Sequence, residues 1–354
     1  MTLNETEETA LESFVHTPIE ANAAFVELAN TIHNTTGIST GSPILDQFIF
    51  PTRPTWVRTW KARPGEGKTT MLTILAATEA RRLLKEKIKN RYVAYISYET
   101  AVDTQEIHFQ ERSYDKEKFW RGEVPMDAVI RGGVRRSDLP IYIFGESMMK
   151  SGIGSPPMTI NMVVAGIYGL YKTQGILPSL LILDYAQEIQ VERHHQKRTQ
   201  DIIEAIGDVI RMGTLVKCPI ELGSQAKQTS VDKNPPIPAL EDSEYSYYIS
   251  QKSAIDVGMW RCWVTHKDNP AAQQNGIKVT GWEGTFPLSP NLTVFRANKN
   301  RYGMLKMAVP ALVDVEKLRI QDIESVSRQL WSGTSTQDTM PEPKPKRLMG
   351  ISNE

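Results

Sequence analysis

Apolar residues along this chain fall into short continuous runs, separated by longer stretches with helical spacing. Runs rich in aliphatic and aromatic side chains, typical of buried strands, occupy positions 56–61, 92–98, 139–144, 180–185, 219–225, 257–263 and 292–297. Between several of these runs apolar residues recur every three or four positions, which predicts helices over 71–84, 159–173 and 202–210. Strands that alternate with helices predict an α/β fold, a doubly wound and mainly parallel sheet flanked by helices.

A separate helix is predicted before the first strand. Thr17 suits the N-cap, Pro18 suits the first helical position, and Glu20 would close a capping box. We expect this linker helix to occupy positions 17–35. Because a single helix of this size is not stable alone, we also expect it to dock on another part of the structure.

Two internal stretches carry weaker patterns. Positions 104–140 are charged and predicted to be helical, with a break at Gly132 and Gly133. Positions 227–248 form a long loop rich in Pro, Asp and Ser, and loops of this length are usually functional or disordered.

The ends of the chain differ from the part between them. The acidic segment 1–16 and the tail 331–354 lack an apolar pattern, so we expect a flexible N-terminus and a disordered C-terminal tail. Positions 36–330 are expected to form one domain. No internal repeat is visible in the sequence.

The composition limits the classes of function. Lys and Arg together number 41, as do Asp and Glu, so nucleic acid or lipid could bind only through a local patch. Cys218 and Cys262 lie in apolar surroundings far apart in sequence, which favours reduced core residues of a cytosolic protein over a disulfide. The sequence shows neither a secretory signal nor a run of 18 apolar residues, so we expect a soluble protein without a membrane partner.

The most informative stretch follows the strand predicted at 56–61 and consists of Ala62, Arg63, Pro64, Gly65, Glu66, Gly67, Lys68, Thr69 and Thr70. It matches a phosphate-binding loop, except that Ala62 stands where the first glycine is usual. Backbone N–H groups of such a loop, with the positive end of the following helix, hold a di- or triphosphate. Lys68 would neutralise the β- and γ-phosphates of ATP, and the Thr69 hydroxyl would bind Mg²⁺. The alternative is a glycine-containing turn before an ordinary helix.

Acidic side chains follow two of the predicted strands. Asp184 ends the aliphatic run 180–183 in the manner of a Walker B strand, which would bring its carboxylate to the Mg²⁺ beside the phosphates. Glu99 follows the strand at 92–98, and ligands of open α/β sheets bind beyond the carboxyl ends of the strands. By itself, Glu99 is equally explained as a solvated residue at a helix start. Glu221 is a charge within a strand predicted to be buried, and the sequence offers no account of it.

Several motifs, in this order, resemble the ATPase domain of DnaB-type replicative helicases, which is a RecA-like P-loop NTPase. They are Thr36-Gly37-Ile38-Ser39-Thr40-Gly41, the phosphate loop with Arg63-Pro64 and Gly67-Lys68-Thr69, Ser97-Tyr98-Glu99, Asp184-Tyr185 with Gln187, Lys197-Arg198-Thr199, Ser224-Gln225, and Lys299 with Arg301 and Gly303. The resemblance extends over positions 17–313.

This resemblance implies a homo-oligomeric ring, normally a hexamer, with ATP bound between subunits. Glu99 would polarise the attacking water, and Gln225 would sense the γ-phosphate and couple it to the DNA loops. Lys299 and Arg301 would reach the γ-phosphate held by the neighbouring subunit. An arginine supplied in this way accelerates phosphoryl transfer by about 10³- to 10⁵-fold. The alternative for Lys299 and Arg301 is a solvated hairpin tip.

The resemblance also implies that single-stranded DNA occupies the central channel of the ring. The expected contacts come from the basic residues of two loops, Arg193, Lys197, Arg198, Lys227 and Lys233. A solvated, charged loop is the alternative. Lys197 and Arg198 are favoured as DNA ligands because they belong to one of the matching motifs.

The resulting hypothesis is an ATP-dependent, ring-shaped DNA helicase or single-stranded DNA translocase in replication. It would act in the cytoplasm, that of a bacterial host if a phage or plasmid encodes it. The globular N-terminal domain with which this family binds primase is not expected, because only about 16 residues precede the first predicted helix. Primase, polymerase or a helicase loader are the partners that the resemblance suggests. The alternative function is a RecA-like ATPase that serves as a DNA-binding assembly, recombination or regulatory module without unwinding DNA.

Overall fold

The computed structural model describes residues 17–34, 37–110, 116–147, 158–191, 195–228, 235–243, 247–282, 284–303 and 308–323. The helices in these ranges are α1 (Pro18–Asn34), α2 (Pro43–Ile49), α3 (Lys68–Lys85), α4 (Val102–Phe109), α5 (Lys116–Trp120), α6 (Met126–Ser137), α7 (Ile160–Gln174), α8 (Arg198–Val216), α9 (Tyr248–Lys252), α10 (Cys262–His266) and α11 (Pro270–Asn275). The strands are β1 (Val57–Ala62), β2 (Arg91–Ser97), β3 (Ile141–Phe144), β4 (Leu177–Asp184), β5 (Ile220–Gln225), β6 (Ile255–Arg261), β7 (Leu292–Asn300), β8 (Ala308–Asp314) and β9 (Arg319–Gln321). None of the helices in these ranges is long and apolar enough to cross a bilayer.

The nine described strands form one sheet, in the order β3-β2-β4-β5-β1-β6-β7-β8-β9. Strands β1 to β6 pair in parallel with one another, and β7, β8 and β9 add an antiparallel edge next to β6. The predicted α/β fold with a mainly parallel sheet flanked by helices is therefore confirmed.

Two hydrophobic cores cover the two faces of the parallel part of the sheet. Consecutive residues of β4 show the division, because Ile182 belongs to the core that contains Leu72 of α3, and Leu183 to the core that contains Ile206 of α8. All six residues of β1 are buried, as expected for a strand covered on both faces.

The buried charge of Glu221 is paired across the sheet. Glu221 lies opposite Arg58 in the register of β5 and β1. The Glu221 Oε2 atom accepts from Arg58 Nε at 2.9 Å, and Oε1 accepts from Arg58 Nη2 at 2.8 Å. Trp60 Nε1 and Thr52 Oγ1 donate to the same carboxylate at 2.6 and 2.5 Å. Because an unpaired buried charge would be strongly destabilising, this network is what allows Glu221 and Arg58 to lie inside the sheet.

The predicted helix before the first strand is confirmed as α1, including its capping box. Thr17 N donates to Glu20 Oε2 at 2.7 Å, and Glu20 N donates to Thr17 Oγ1 at 3.3 Å. Along α1 the side chains of Ile19, Phe25 and Val26 are 82%, 65% and 48% exposed. Helix α1 therefore presents apolar surface that the described part of a single chain leaves uncovered.

The predicted helix break at Gly132 and Gly133 is wrong, because α6 runs through both glycines. An interior glycine costs a helix only about 1 kcal/mol relative to alanine. The next turn of the helix packs Arg136 against α4. Its Nε lies 3.1 Å from Glu106 Oε1, and its guanidinium carbon lies 5.0 Å from the ring centroid of Phe109.

Two other predicted boundaries differ from the structure. The strand predicted at 257–263 ends at Arg261, and α10 begins at Cys262. Trp260 Nε1 donates to Thr265 Oγ1 at 3.0 Å, which stabilises the turn from β6 into α10. Lys299 belongs to the end of β7 and not to the following turn. The predictions for segments 1–16 and 331–354 fall outside the described residues.

The two cysteines are core residues, as predicted. Cys218 and Cys262 are buried and carry free thiols. Burial raises the pKa of both thiols. They therefore remain protonated near neutral pH and pack as small apolar side chains.

Candidate nucleotide-binding site

Four neighbouring strands bring the predicted site residues to one edge of the sheet. Strands β2, β4, β5 and β1 are adjacent and parallel, so their carboxyl ends meet. Asp184 at the end of β4 is level with Ser97 at the end of β2, and Gln225 at the end of β5 is level with Ala62 at the end of β1. The phosphate loop, Asp184, Gln225 and the turn that carries Glu99 thus share this edge.

The phosphate loop turns sharply from β1 into α3. Gly65 and Gly67 have φ angles of 79° and 88°, a left-handed conformation that favours glycine. No atom lies within 4 Å of a Cβ built on Gly65, so the backbone angle alone requires glycine there. Lys68, Thr69 and Thr70 form the first turn of α3, where backbone N–H groups need partners from outside the helix. The loop and this turn together provide a ready anion site.

Lys68 lies between the two predicted acids. Its Nζ atom is 3.6 Å from Glu99 Oε2 and 3.7 Å from Asp184 Oδ1. The same atom lies 3.1 Å from the ring centroid of Tyr185. Burial lowers the pKa of Lys68, and the two carboxylates oppose that shift. One cation and two carboxylates therefore converge where the phosphate loop opens.

Asp184 is fully buried and suits a cation. Tyr95 Oη donates to Asp184 Oδ2 at 3.0 Å, whereas Oδ1 has no hydrogen-bond donor among the described residues. A buried carboxylate oxygen without a donor fits a hard divalent cation such as Mg²⁺. Thr69 is the second candidate ligand. In the described ranges no group of three or more His, Cys, Asp or Glu side chains could hold a metal, so substrate oxygens and water would complete the shell.

The turn that carries Glu99 is held by Ser97. The Ser97 hydroxyl donates to Thr100 O at 2.5 Å and accepts from Thr100 N at 3.3 Å. Tyr98 N donates to Asp184 O at 2.8 Å, which ties this turn to the end of β4. The Glu99 side chain itself is 48% exposed and faces Lys68. A water molecule at this edge can therefore reach its carboxylate.

Gln187 links Gln225 to the predicted DNA loops. Gln225 N donates to Gln187 Oε1 at 3.1 Å, and Gln187 Nε2 donates to Gln225 O at 3.2 Å. The backbone oxygen of Gln187 accepts a hydrogen bond from Arg198 Nη2 at the start of α8. This amide pair gives a continuous hydrogen-bonded connection from the end of β5 to Arg198.

Arg63 and Glu66 are buried together inside the phosphate loop. They form a short ion pair, and Arg63 Nη1 also donates to Pro236 O at 2.9 Å. Burial raises the pKa of Glu66 to about 7, although the Arg63 guanidinium opposes the shift. The side chain of Arg63 therefore connects the loop to residues 235–243.

Lys299 and Arg301 lie away from this edge. Lys299 is level with Asp256 near the start of β6, and Arg301 N donates to Ala254 O at 3.1 Å. Since β6 runs parallel to β1, Lys299 is level with Thr59, about 10 Å along the strand from Ala62, and Arg301 is level with Val57, about 16 Å from Ala62. Lys299 Nζ donates to Ser250 O at 3.1 Å, and the Arg301 side chain is exposed.

The predicted DNA-binding residues divide into three groups. Arg193 and Lys233 lie outside the described residues. Lys197 and Lys227 have exposed side chains. The backbone at Lys227 is fixed, because Lys227 N donates to Asp242 O at 2.8 Å and a β-bridge joins Ala226 to Ser243 at the base of the second predicted DNA loop. Arg198 is directed inward, with its Nη1 4.0 Å from Asp201 Oδ2 and its Nη2 on the Gln187 carbonyl.

Sequence reasoning assigned no role to Tyr95, Gln187 or Lys61. Gln187 belongs to a matching motif but only its tertiary contacts show what it holds. The position of Lys61 in a strand predicted to be buried could have indicated a structural role, because a buried lysine needs polar partners, as Glu221 does. Tyr95 gave no such signal, since a tyrosine in a buried strand is ordinary.

Two solved structures that share the fold of this chain are an ATPase domain and a replicative helicase. The ATPase domain aligns over 85% of this chain and 98% of its own, with a TM-score of 0.66 and 18% sequence identity. The helicase, which is DnaB-like and described with its interactions with primase, aligns over 90% of this chain and 71% of its own, with a TM-score of 0.65 and 17% identity. No protein-family model and no curated protein matches the sequence. The chain therefore has the RecA-like fold of the ATPase domain of DnaB-type replicative helicases.

Proposed function

We propose that this protein hydrolyses ATP at the interfaces of a ring and uses the energy to move along single-stranded DNA and unwind the duplex. The observation that carries the proposal is the convergence of Lys68, Glu99 and Asp184 at the phosphate loop. The fold supports it, because one of the similar structures is a DnaB-like replicative helicase.

The chemistry assigns a role to each residue of the cluster. Lys68 binds the β- and γ-phosphates and loses its carboxylate partners as it does so. Thr69 and Asp184 would hold Mg²⁺, which supplies charge neutralisation on the phosphate oxygens. Glu99 orients the water that attacks the γ-phosphate, because its exposed carboxylate faces the loop opening. Gln225 contacts the γ-phosphate and couples its presence to the DNA loops through the hydrogen bond to Gln187.

Lys299 and Arg301 act on the nucleotide of a neighbouring subunit in this proposal. Arg301 lies too far along the strand from Ala62 for its side chain to reach the phosphate loop of its own chain, and Lys299 Nζ is bound to Ser250 O. The Arg301 guanidinium is exposed, with only its Nη2 at 3.5 Å from Gln251 O among the described residues, so a second copy can reach it. Hydrolysis would then require assembly, because each site is incomplete without the next subunit.

Two exposed apolar stripes favour assembly of the ring. On α6, Met126, Ile130 and Val134 are spaced four residues apart and are 72%, 60% and 60% exposed. Helix α1 exposes the second stripe. Because contiguous exposed apolar surface marks sites of protein contact, we propose that α1 of one subunit packs on α6 of the next.

DNA unwinding tests the proposal most directly. On a forked DNA with ATP and Mg²⁺, the wild type should displace a strand and Lys68→Ala should not, whereas Lys172→Ala, which removes an exposed lysine of α7, should behave as the wild type. Equal unwinding by Lys68→Ala would exclude the assigned site.

Two other outcomes would change the function. ATP hydrolysis stimulated by single-stranded DNA without unwinding would identify a translocase that needs a partner. ATP hydrolysis indifferent to DNA would instead identify a RecA-like assembly or regulatory module.

A further inference from the structure

A segment beside the phosphate loop, residues 236–240, has every backbone carbonyl bound by a side chain, and we call it the carbonyl strap. Arg63 Nη1 donates to Pro236 O at 2.9 Å, Arg296 Nη2 to Ile237 O at 3.0 Å, Asn298 Nδ2 to Pro238 O at 2.8 Å, and Lys61 Nζ to Ala239 O and Leu240 O at 2.8 and 3.1 Å. Four side chains from outside the strap thus hold five consecutive peptide groups.

The sequence of the strap explains why side chains hold it. Pro236 and Pro238 have no N–H group, so the segment cannot pair as an ordinary strand. Its buried carbonyls consequently need donors from elsewhere. Gly258 of β6 lies directly against the strap, because a Cβ atom built on it would be 2.2 Å from Pro238 O. The strap therefore packs closely on β6, with no room for a side chain at position 258.

Lys61 and Asn298 anchor the strap to a buried charge. Lys61 Nζ lies 3.3 Å from Asp256 Oδ2 and donates to Ser250 Oγ at 2.8 Å. Asn298 Nδ2 donates to Asp256 Oδ1 at 3.0 Å. Lys61 and Asp256 are fully buried, so displacing the strap would leave the lysine without two of its acceptors.

The strap touches three parts of the machinery assigned above. Lys61 and Arg63 flank Ala62 at the phosphate loop. Arg296 and Asn298 lie on β7, the strand that ends beside Arg301. The strap then continues to Asp242, whose carbonyl binds Lys227 N at the closed base of the second DNA loop.

We propose that the carbonyl strap, which belongs to the loop at 227–248, is a positioning element that couples the phosphate loop to the base of this predicted DNA loop at Lys227, and this inference rests on the proposed function. Arg63 and Lys61 hold strap carbonyls directly, so any shift of the loop around Ala62 on nucleotide binding moves the strap. The strap in turn moves the base of the DNA loop. Coupling of this kind is reciprocal, so DNA at the loop changes the affinity for nucleotide by the same factor.

Hydrogen exchange tests the strap without DNA. In the full-length wild type, ATPγS with Mg²⁺ should slow exchange of the amides at 237–243. The same nucleotide should leave those amides unchanged in Asn298→Ala, which loses the bond to Pro238 O, and in Gly258→Ala, whose methyl group pushes the strap off the sheet. Asn291→Ala, an exposed asparagine just before β7, is the matched control and should be protected like the wild type.

ATP hydrolysis tests the consequence. Asn298→Ala and Gly258→Ala should keep nucleotide binding and basal turnover, and the stimulation by a poly-dT oligonucleotide should fall roughly twofold to thirtyfold, the range of couplings carried by such networks. Normal stimulation by DNA in both variants would overturn the coupling role. So would amide exchange at 237–243 of the wild type that does not change when ATPγS is added. If ATPγS slows amide exchange at 237–243 of the wild type but DNA does not stimulate its ATP hydrolysis, the helicase proposal is contradicted. The link between the phosphate loop and the strap is then still supported.

Discussion

The ring of Tyr302 stacks on the indole of Trp56, with ring centroids 3.9 Å apart and planes inclined by 8°. Trp56 immediately precedes β1, and Tyr302 immediately follows Arg301. Asn300 Nδ2 donates to Phe48 O at 3.1 Å, and a Cβ atom on Gly303 would be 2.4 Å from the Phe50 ring. The turn that carries Arg301 is therefore fastened to the body of the domain while its guanidinium remains exposed.

This stacking predicts that Tyr302→Ala reduces ATP turnover without affecting nucleotide binding. An aromatic pair contributes about 0.5–1.5 kcal/mol, so turnover should fall roughly twofold to tenfold as Arg301 loses its fixed position. Tyr302→Phe retains the ring and should retain the activity. The measurement is steady-state hydrolysis, with binding of a fluorescent ATP analogue alongside. Equal turnover in Tyr302→Ala and Tyr302→Phe would show that the stacking does not position Arg301.

Arg301→Ala should bind nucleotide normally and lose turnover by about 10³-fold or more, because an arginine supplied in trans stabilises the transition-state charge. Its distance from the phosphate loop of its own chain gives a mixing test. Combined with Lys68→Ala protein, Arg301→Ala should recover part of the activity, since some interfaces pair an intact phosphate loop with an intact Arg301. Absence of recovery at every mixing ratio would argue against action across subunits.

Lys197 and Arg198 should affect DNA binding in different ways, although the sequence suggested the same role for both. Replacing both by alanine should weaken single-stranded DNA binding and flatten its salt dependence. Exposed Lys197 should account for the electrostatic part, so Lys197→Ala should lower the slope of log K against log salt by roughly 0.7, the single-strand value for one phosphate.

Arg198→Ala should mainly reduce the stimulation of ATP hydrolysis by DNA, because its Nη2 holds Gln187 beside Gln225. Titrations of a labelled oligonucleotide at several salt concentrations separate the two effects. A salt slope that drops equally in both single variants would indicate that Arg198 turns outward to bind phosphate.

The buried carboxyl of Glu66 predicts a pH-dependent contribution to stability. Burial raises its pKa from 4.5 to about 7, so between these values the folded protein holds a proton that the unfolded chain releases. This contribution is complete below about pH 4.5 and is lost as the pH rises through about 7. Relative to Glu66→Gln, which does not titrate, the wild type should lose up to about 3 kcal/mol of unfolding free energy over this range.

Urea unfolding at several pH values measures the difference between the wild type and Glu66→Gln. Glu123→Gln, which changes an exposed carboxyl, serves as the control and should follow the wild type. Parallel stability curves for the wild type and Glu66→Gln would contradict the raised pKa of Glu66.

A charge on the apolar stripe of α6 should prevent assembly. Ile130→Asp places a carboxylate in the middle of the stripe, where packing of α1 from a neighbour would bury it at a cost of several kcal/mol. Light scattering in ATPγS and Mg²⁺ should then find smaller species and lost turnover. Leu215→Asp, which alters a side chain 73% exposed on α8, should assemble normally. A ring of unchanged size with Ile130→Asp would place the interface on another surface.

The sequence alone determined the parts of this protein that depend on local backbone physics. Apolar runs and helical spacing predicted the order of strands and helices, because periodicity decides which face of each element can be buried. The glycines and Gly-Lys-Thr of the phosphate loop predicted the turn into α3. Asp184 and Glu99 could be predicted to lie together because the carboxyl ends of parallel strands collect at one edge.

Only the tertiary structure decided which distant residues became partners. Arg58 and Glu221 are 163 residues apart, and their pairing required the placement of β5 beside β1. The inward direction of Arg198, the contacts of Lys61 with the carbonyl strap, and the location of Arg301 far from its own phosphate loop depend on the same strand order. These contacts arise between elements that are remote in sequence, so no local pattern specifies which residues become neighbours. A buried polar group without a partner is destabilising, so the folded state pairs these groups across the elements.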